Sequence, residues 1–139
     1  MIKKIRFEGF YHNNILPEGK GNLEGIIEIA SDGSFEGTIN DYGLGPQMEV
    51  IKGHLKHKNT TSHLEFLKFP PDEDLANLFY SLKKEGTGMQ APITGKYVGE
   101  WNALPVKVNY DTNYNIFIAK IDTNICCLYD YAEVIILKD

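Results

Sequence analysis

A three-residue pattern, apolar-any-glycine, recurs in five separate segments of this chain: Phe7-Glu8-Gly9, Leu23-Glu24-Gly25, Phe35-Glu36-Gly37, Ile51-Lys52-Gly53 and Ile93-Thr94-Gly95. Extending each copy with period two gives lines that are apolar throughout, such as Ile5, Phe7, Gly9, Tyr11 and Leu23, Gly25, Ile27, Ile29. The positions between them, among them Lys4, Arg6, Glu8, Glu24, Glu28, Glu36, Lys52 and Lys96, are mostly charged. That alternation is the mark of an antiparallel strand with one face buried and one in water. Glycine weakens a flat strand, so its repeated use on the buried face points to strong coiling and close backbone approach, which a closed barrel requires.

Turn chemistry extends this to a register. A three-residue loop Ser31-Asp32-Gly33, with Gly33 left-handed, sets Ile29 opposite Phe35, Ile27 opposite Gly37 and Gly25 opposite Ile39. A two-residue turn would throw Ile29 against Glu36 and is rejected, because a one-residue slip exchanges the faces. A loop from Tyr42 to Met48 then sets Ile39 opposite Ile51, Gly37 opposite Gly53 and Asp41 opposite Glu49. A turn at Asn59-Thr60 sets Leu55 opposite Leu64 and Gly53 opposite Phe66, and carries the inner line on to Lys68.

Between Pro70 and Gly88 the period changes. Leu75, Leu78, Phe79 and Leu82 fall on one helical face, with Asp72, Glu73 and Asp74 ahead of it, Lys83 and Lys84 at its end and Gly86 beyond. The spacing and the end charges predict an amphipathic helix over about 72–85. The last third is expected to hold two strands, Thr112 to Ile121 and Ile125 to Leu137, apolar on both faces and therefore covered on both faces. Self-association through Ile125 to Leu137, with Tyr129 or Tyr131 as anchor and Leu128 on the strand, is one way to cover them. The count is about eight strands with a helix between the fifth and sixth. The fold class is mainly β, an antiparallel up-and-down barrel, in a single domain of ordinary size.

Ser31-Asp32-Gly33-Ser34-Phe35-Glu36-Gly37-Thr38 is similar to a hairpin of the streptavidin family, and Thr94-Gly95-Lys96-Tyr97-Val98-Gly99 resembles a later strand of it. In these short motifs and in its order of strands the chain resembles the calycin barrels, the group that includes avidin-like and lipocalin-like proteins. The resemblance implies the architecture. The avidin ligand is not carried over, because those proteins hold biotin with several tryptophans and this chain has one, Trp101.

Charge narrows the partners. Lys and Arg number 14 against 19 Asp and Glu, a net charge of -5, with no basic stripe for a phosphate backbone or an anionic membrane surface. Nucleic acid and membrane are not expected partners, and the chain reads as cytoplasmic, with no secretory h-region after its first basic residues. Cys126 and Cys127 are neighbours that would point to opposite faces of a strand, and are read as free thiols. His12, His54, His57 and His63 do not converge in the pattern of a zinc site, and no metal or cofactor is expected.

The candidate site follows from the register. Asp41 and Glu49 share the barrel mouth, and Lys68 on the next inward line has to find a carboxylate or reach solvent there. Tyr11, Tyr97 and Trp101 line the interior and offer aromatic walls with polar tips, as small-molecule pockets often do. Three functions fit: non-catalytic binding of a small, partly apolar ligand in or at the mouth; a filled barrel that acts as a homodimeric interaction module; and an acid-base enzyme using the carboxylate-lysine group.

Overall fold

The computed structural model describes residues 2–16, 18–43, 47–58, 61–72, 74–85, 93–104 and 130–137. They form eight strands: β1 (Lys3–His12), β2 (Lys20–Ile29), β3 (Ser34–Asp41), β4 (Gln47–Lys58), β5 (Thr61–Phe69), β6 (Leu78–Lys84), β7 (Gly95–Ala103) and β8 (Asp130–Leu137). Each pairs antiparallel with its successor and β8 pairs with β1, which closes the barrel and leaves no sheet edge unpaired. The inward lines of the first five strands and of β7 are those the alternation predicts: Phe7, Leu23, Ile27, Ile39, Ile51, Leu64 and Tyr97 are all buried.

The β2-β3 hairpin has the expected register, with Ile29 opposite Phe35 and Gly25 opposite Ile39. Gly33 takes φ +93°, and the Asp32 carboxylate accepts from the Ser34 amide and hydroxyl, so the turn is built from its own side chains. The β4-β5 pairing is also as expected, with Leu55 opposite Leu64 and Gly53 opposite Phe66. Between β3 and β4 the register differs by two residues: Ile39 faces Glu49, Gly37 faces Ile51 and Asp41 faces Gln47. A slip of two keeps every side chain on its face, which is why the burial pattern alone could not exclude it. The observed register places Gly53 between Phe35 and Phe66, whose rings meet edge to face with centroids 6.2 Å apart. Two large aromatics fit there because the residue between them has no side chain.

The predicted helix over 72–85 is not what this segment forms. Leu78 to Lys84 is strand β6, bonded to β5 on one side and β7 on the other. Leu78, Tyr80 and Leu82 are the inward set with period two, and Tyr80 is wholly buried, whereas Leu75, a member of the supposed helical face, is 45 % exposed. The helical spacing of the leucines coincided with a strand spacing, and the barrel decided between them. Without β6, both β5 and β7 would present bare N–H and C=O groups to a closed interior. Ahead of the strand the Asp72 carboxylate accepts from the Asp74 amide, and the Asp72 carbonyl from the Leu75 amide.

Leu67 and Phe69 are buried although they belong to the outward set of β5; Leu67 lies between Lys52 and Phe79, and Phe69 beside Val50. On β8, Ala132, Val134 and Ile136 point inward and Tyr131, Ile135 and Leu137 outward. The expected strand from Thr112 to Ile121, and Cys126, Cys127, Leu128 and Tyr129, lie outside the described residues.

The end of the barrel at which β1, β3, β5 and β7 finish holds the polar cluster.

Candidate functional site

The last buried inward positions of β3, β4 and β5 at this end are Asp41, Glu49 and Lys68. The register brings them together: Glu49 faces Ile39, one inward step from Asp41, and Lys68 faces Ile51, one inward step from Glu49. Lys68 Nζ is 2.8 Å from Asp41 Oδ2 and 3.6 Å from Glu49 Oε1. Lys68 is 0 % exposed, Glu49 3 % and Asp41 7 %, so this is an internal ion network. From β1 the Tyr11 hydroxyl donates to both Asp41 oxygens, at 2.8 and 3.0 Å, and the Gly43 amide donates to Oδ1 at 2.9 Å. The ammonium also sits 4.1 Å from the centre of the Tyr11 ring and 5.3 Å from that of Tyr80, close enough for cation-π attraction.

Aromatic rings form the floor and one wall. Tyr80 stacks on Phe66 with centroids 4.6 Å apart and lies at 6.1 Å from Trp101, which meets Tyr11 edge-on at 5.4 Å. The Trp101 indole donates to the His12 carbonyl at 2.9 Å and so ties the end of β7 to the end of β1. Beneath this layer Phe7, Ile27, Ile51, Leu64, Phe66 and Val134 are all fully buried, which leaves no water-sized space against them. The interior below the cluster is packed, and whatever binding the barrel supports belongs to the mouth.

Of the six residues singled out from the sequence, the structure brings together Asp41, Glu49, Lys68, Tyr11 and Trp101. Tyr97 is inward but apart: it lies four residues from Trp101 on β7, roughly 13 Å at the strand rise, and its hydroxyl donates to the Ile93 carbonyl. Sequence reasoning missed Tyr80, because its segment was assigned to a helix. The alternation Leu78, Tyr80, Leu82 was the signal that could have found it.

Burial alone would raise the Asp41 carboxyl, but the hydrogen bond shared with Glu49, the Lys68 charge and the Gly43 amide outweigh it and hold Asp41 at about 2. Glu49 goes the other way: burial and the bond to Asp41 lift it to about 8 against the pull of Lys68. The pair therefore carries one proton and one negative charge at neutral pH, which Lys68 balances. Burial also raises both phenols, so each keeps its proton.

A pH dependence follows from these directions. Glu49 titrates higher folded than its ordinary 4.5, so its stabilising contribution is complete below about 4.5 and is lost as pH rises through about 8. Asp41 titrates lower than its ordinary 3.8, so its contribution is present above that value and is lost as pH falls through about 2. Urea unfolding of the native chain should give greatest stability near pH 4–5 and a decline on the order of 2 kcal/mol or more towards pH 8. Glu49→Gln should flatten that decline; native stability that stays level or climbs from pH 5 to 8 would contradict the assignment.

Among the described residues no three His, Cys, Asp or Glu side chains come together as metal ligands. His57 is engaged at the opposite end of the barrel, its Nδ1 2.9 Å from the Ser62 hydroxyl. A hollow of about 640 Å³ on the outer wall, bordered by Ile26, Thr38, Met48 and Val50, has no contact with the cluster.

Fold and site together define a closed, eight-stranded antiparallel barrel, consistent with a calycin-like fold in general, with a neutral ion network sealed under one mouth. Comparison of the chain with protein-family models, characterised proteins and solved structures finds no match.

Proposed function

We propose that this chain binds a small, partly apolar molecule, without reacting it, at the mouth lined by Asp41, Glu49, Lys68, Tyr11, Tyr80 and Trp101. The observation that carries this is the buried Tyr80 hydroxyl, which has no hydrogen-bond partner among the described residues, together with Glu49 Oε1, whose contact is the 3.6 Å ion pair with Lys68. An unsatisfied hydroxyl of this kind costs roughly 1–3 kcal/mol, and phenylalanine at position 80 would fill the same core without that cost. Retaining it next to an aromatic wall is the composition of a binding site. Lys68 is held by Asp41 and closed from water, which favours binding over acid-base turnover. The finer likeness to avidin-like or lipocalin-like barrels supports the reading as analogy, because a barrel of this strand number either is filled by side chains or holds one small ligand. A charged outer wall, with Lys4, Arg6, Glu24 and Glu28, suits water and differs from the apolar band of a membrane barrel.

Trp101 is the sole tryptophan and lies in the site, so its emission reports occupancy directly. Native mass spectrometry of protein purified from its own cell should show a bound small molecule, and its removal should shift Trp101 emission. Protein that carries nothing, and whose emission responds to no fraction of a cell extract, would refute the proposal.

A second reading, self-association, rests on the outer wall, where Phe10, His12 and Tyr131 contact one another and Tyr131 is 37 % exposed. Sedimentation equilibrium at micromolar concentration should then show a dimer that Tyr131→Lys dissociates; a native monomer at every concentration excludes it.

A further inference from the structure

The connection between β1 and β2 carries one residue into the barrel. Leu16 is 5 % exposed and belongs to the core cluster, while its neighbour Ile15 is 83 % exposed. The connection is closed on itself: the Asn13 amide donates to the Gly19 carbonyl at 3.0 Å, the Leu16 amide to the Asn13 carbonyl at 3.1 Å and the Gly19 amide to the Leu16 carbonyl at 3.0 Å. With its backbone bonds satisfied internally, the turn is held to the mouth by the Leu16 side chain. That side chain sits over the hub of the site, since a Cβ placed on Gly43 would meet the Tyr11 hydroxyl, Leu16 Cδ1 and Asp41 Oδ1 together. Leu16 therefore packs on the Tyr11 and Asp41 side of the polar cluster.

We propose that Leu16 is a displaceable plug, and that the occupant of the mouth is an uncharged molecule. Its short branched aliphatic end takes the place of the Leu16 side chain, and its hydroxyl or carboxamide head reaches the Tyr80 hydroxyl and Glu49 Oε1. The inference rests on the reading of the mouth as a binding site and adds the ligand's class and the residue it displaces. The tail follows from shape, because an isobutyl group is what the site already holds. The head follows from charge. Lys68 is already paired with Asp41 at 2.8 Å, so a carboxylate head would bring a second buried negative charge with no cation to meet it. An ammonium head would enter beside Lys68. An uncharged head that both donates and accepts matches the phenol, which has no hydrogen-bond partner among the described residues, and the Glu49 carboxyl oxygen, which lies 3.6 Å from Lys68.

The test uses four probes with one tail and different heads, namely isovaleramide, 3-methylbutan-1-ol, isovalerate and isopentylamine, titrated at pH 6.5 into the native chain, Leu16→Ala and Leu16→Val with Trp101 emission and thermal shift as readouts. Leu16→Ala should bind the amide and the alcohol about ten- to a hundredfold tighter than the native chain, the gain expected from burying one such tail, with Leu16→Val in between. Both uncharged probes should bind at least about tenfold tighter than either charged one, and Tyr80→Phe in the Leu16→Ala background should cost about three- to tenfold. Equal affinities for the native chain and both Leu16 variants overturn the plug, and a charged probe that binds as well as the amide overturns the ligand class. Should Leu16→Ala not fold, an unchanged affinity in Leu16→Val overturns the plug alone. Trp101 emission that still responds to a cell-derived ligand in those cases leaves the mouth-binding reading standing, so the two failures are told apart.

Discussion

Replacing Lys68 by methionine should cost about 3–5 kcal/mol of stability at pH 7, the usual result of removing one partner from a buried ion pair. For a chain of this length that is a fall in midpoint of roughly 10 °C or more. The cause is specific. Lys68 is fully buried, and without it Asp41 keeps a negative charge in a closed interior with only the Tyr11 hydroxyl, the Gly43 amide and the Glu49 carboxyl to stabilise it. Methionine fills nearly the same volume, so the loss is electrostatic and not a cavity effect. Two further measurements separate these causes. The penalty should shrink at pH 3, where both carboxyls of the variant hold protons, and Lys68→Met combined with Asp41→Asn and Glu49→Gln should recover most of the stability. A single variant within about 1 kcal/mol of the native chain in urea unfolding would mean that the network is not closed from water, against the burial described here.

Alanine at Gly53 should be nearly as damaging, at about 3 kcal/mol or more, because the added Cβ has nowhere to go. It would meet the Glu65 carbonyl oxygen and the Cβ and Cα of Phe66 on the neighbouring strand. Relief would require β4 and β5 to separate, breaking ladder hydrogen bonds, or the Phe35 and Phe66 rings to lose their edge contact above the glycine. Gly37 and Gly25 stand in the same relation to Ile27 and Ile39, and their alanine variants should behave alike. An outward change on the same strand, Lys52→Ala, is the control and should stay within about 0.5 kcal/mol. Chemical denaturation of the set decides it: a Gly53→Ala chain as stable as the control would show that the strands approach less closely than described.

The recurring glycine was the most legible feature because its cause is local to a pair of strands. These glycines lie opposite bulky residues, Phe7 on Gly25, Ile27 on Gly37 and Phe35 on Gly53, and the turn chemistry of the β2-β3 hairpin gave the second of these pairs. The inward course of Lys68 was legible for the same reason. Its partners Asp41 and Glu49 were legible as a group, although the predicted pairing of one directly opposite the other was two residues out.

What the sequence by itself determined was therefore phase: which residues face in, which face out, and that a lysine and two carboxyls share one end. Phase is set by alternation and by burial of one face, and these are properties of each strand alone. Tertiary structure decided register, closure and the nature of the segment before β7. A slip of two residues preserves phase, so only the packing of Phe35 and Phe66 around Gly53 selects one β3-β4 register. Leu78 and Leu82 fit one face of a helix and one face of a strand alike, so the choice fell to β5 and β7, which both pair with this segment in the closed sheet. That choice brought the Tyr80 hydroxyl into the mouth. The partners of a side chain there come from six strands, and no spacing along one chain can specify a meeting of six.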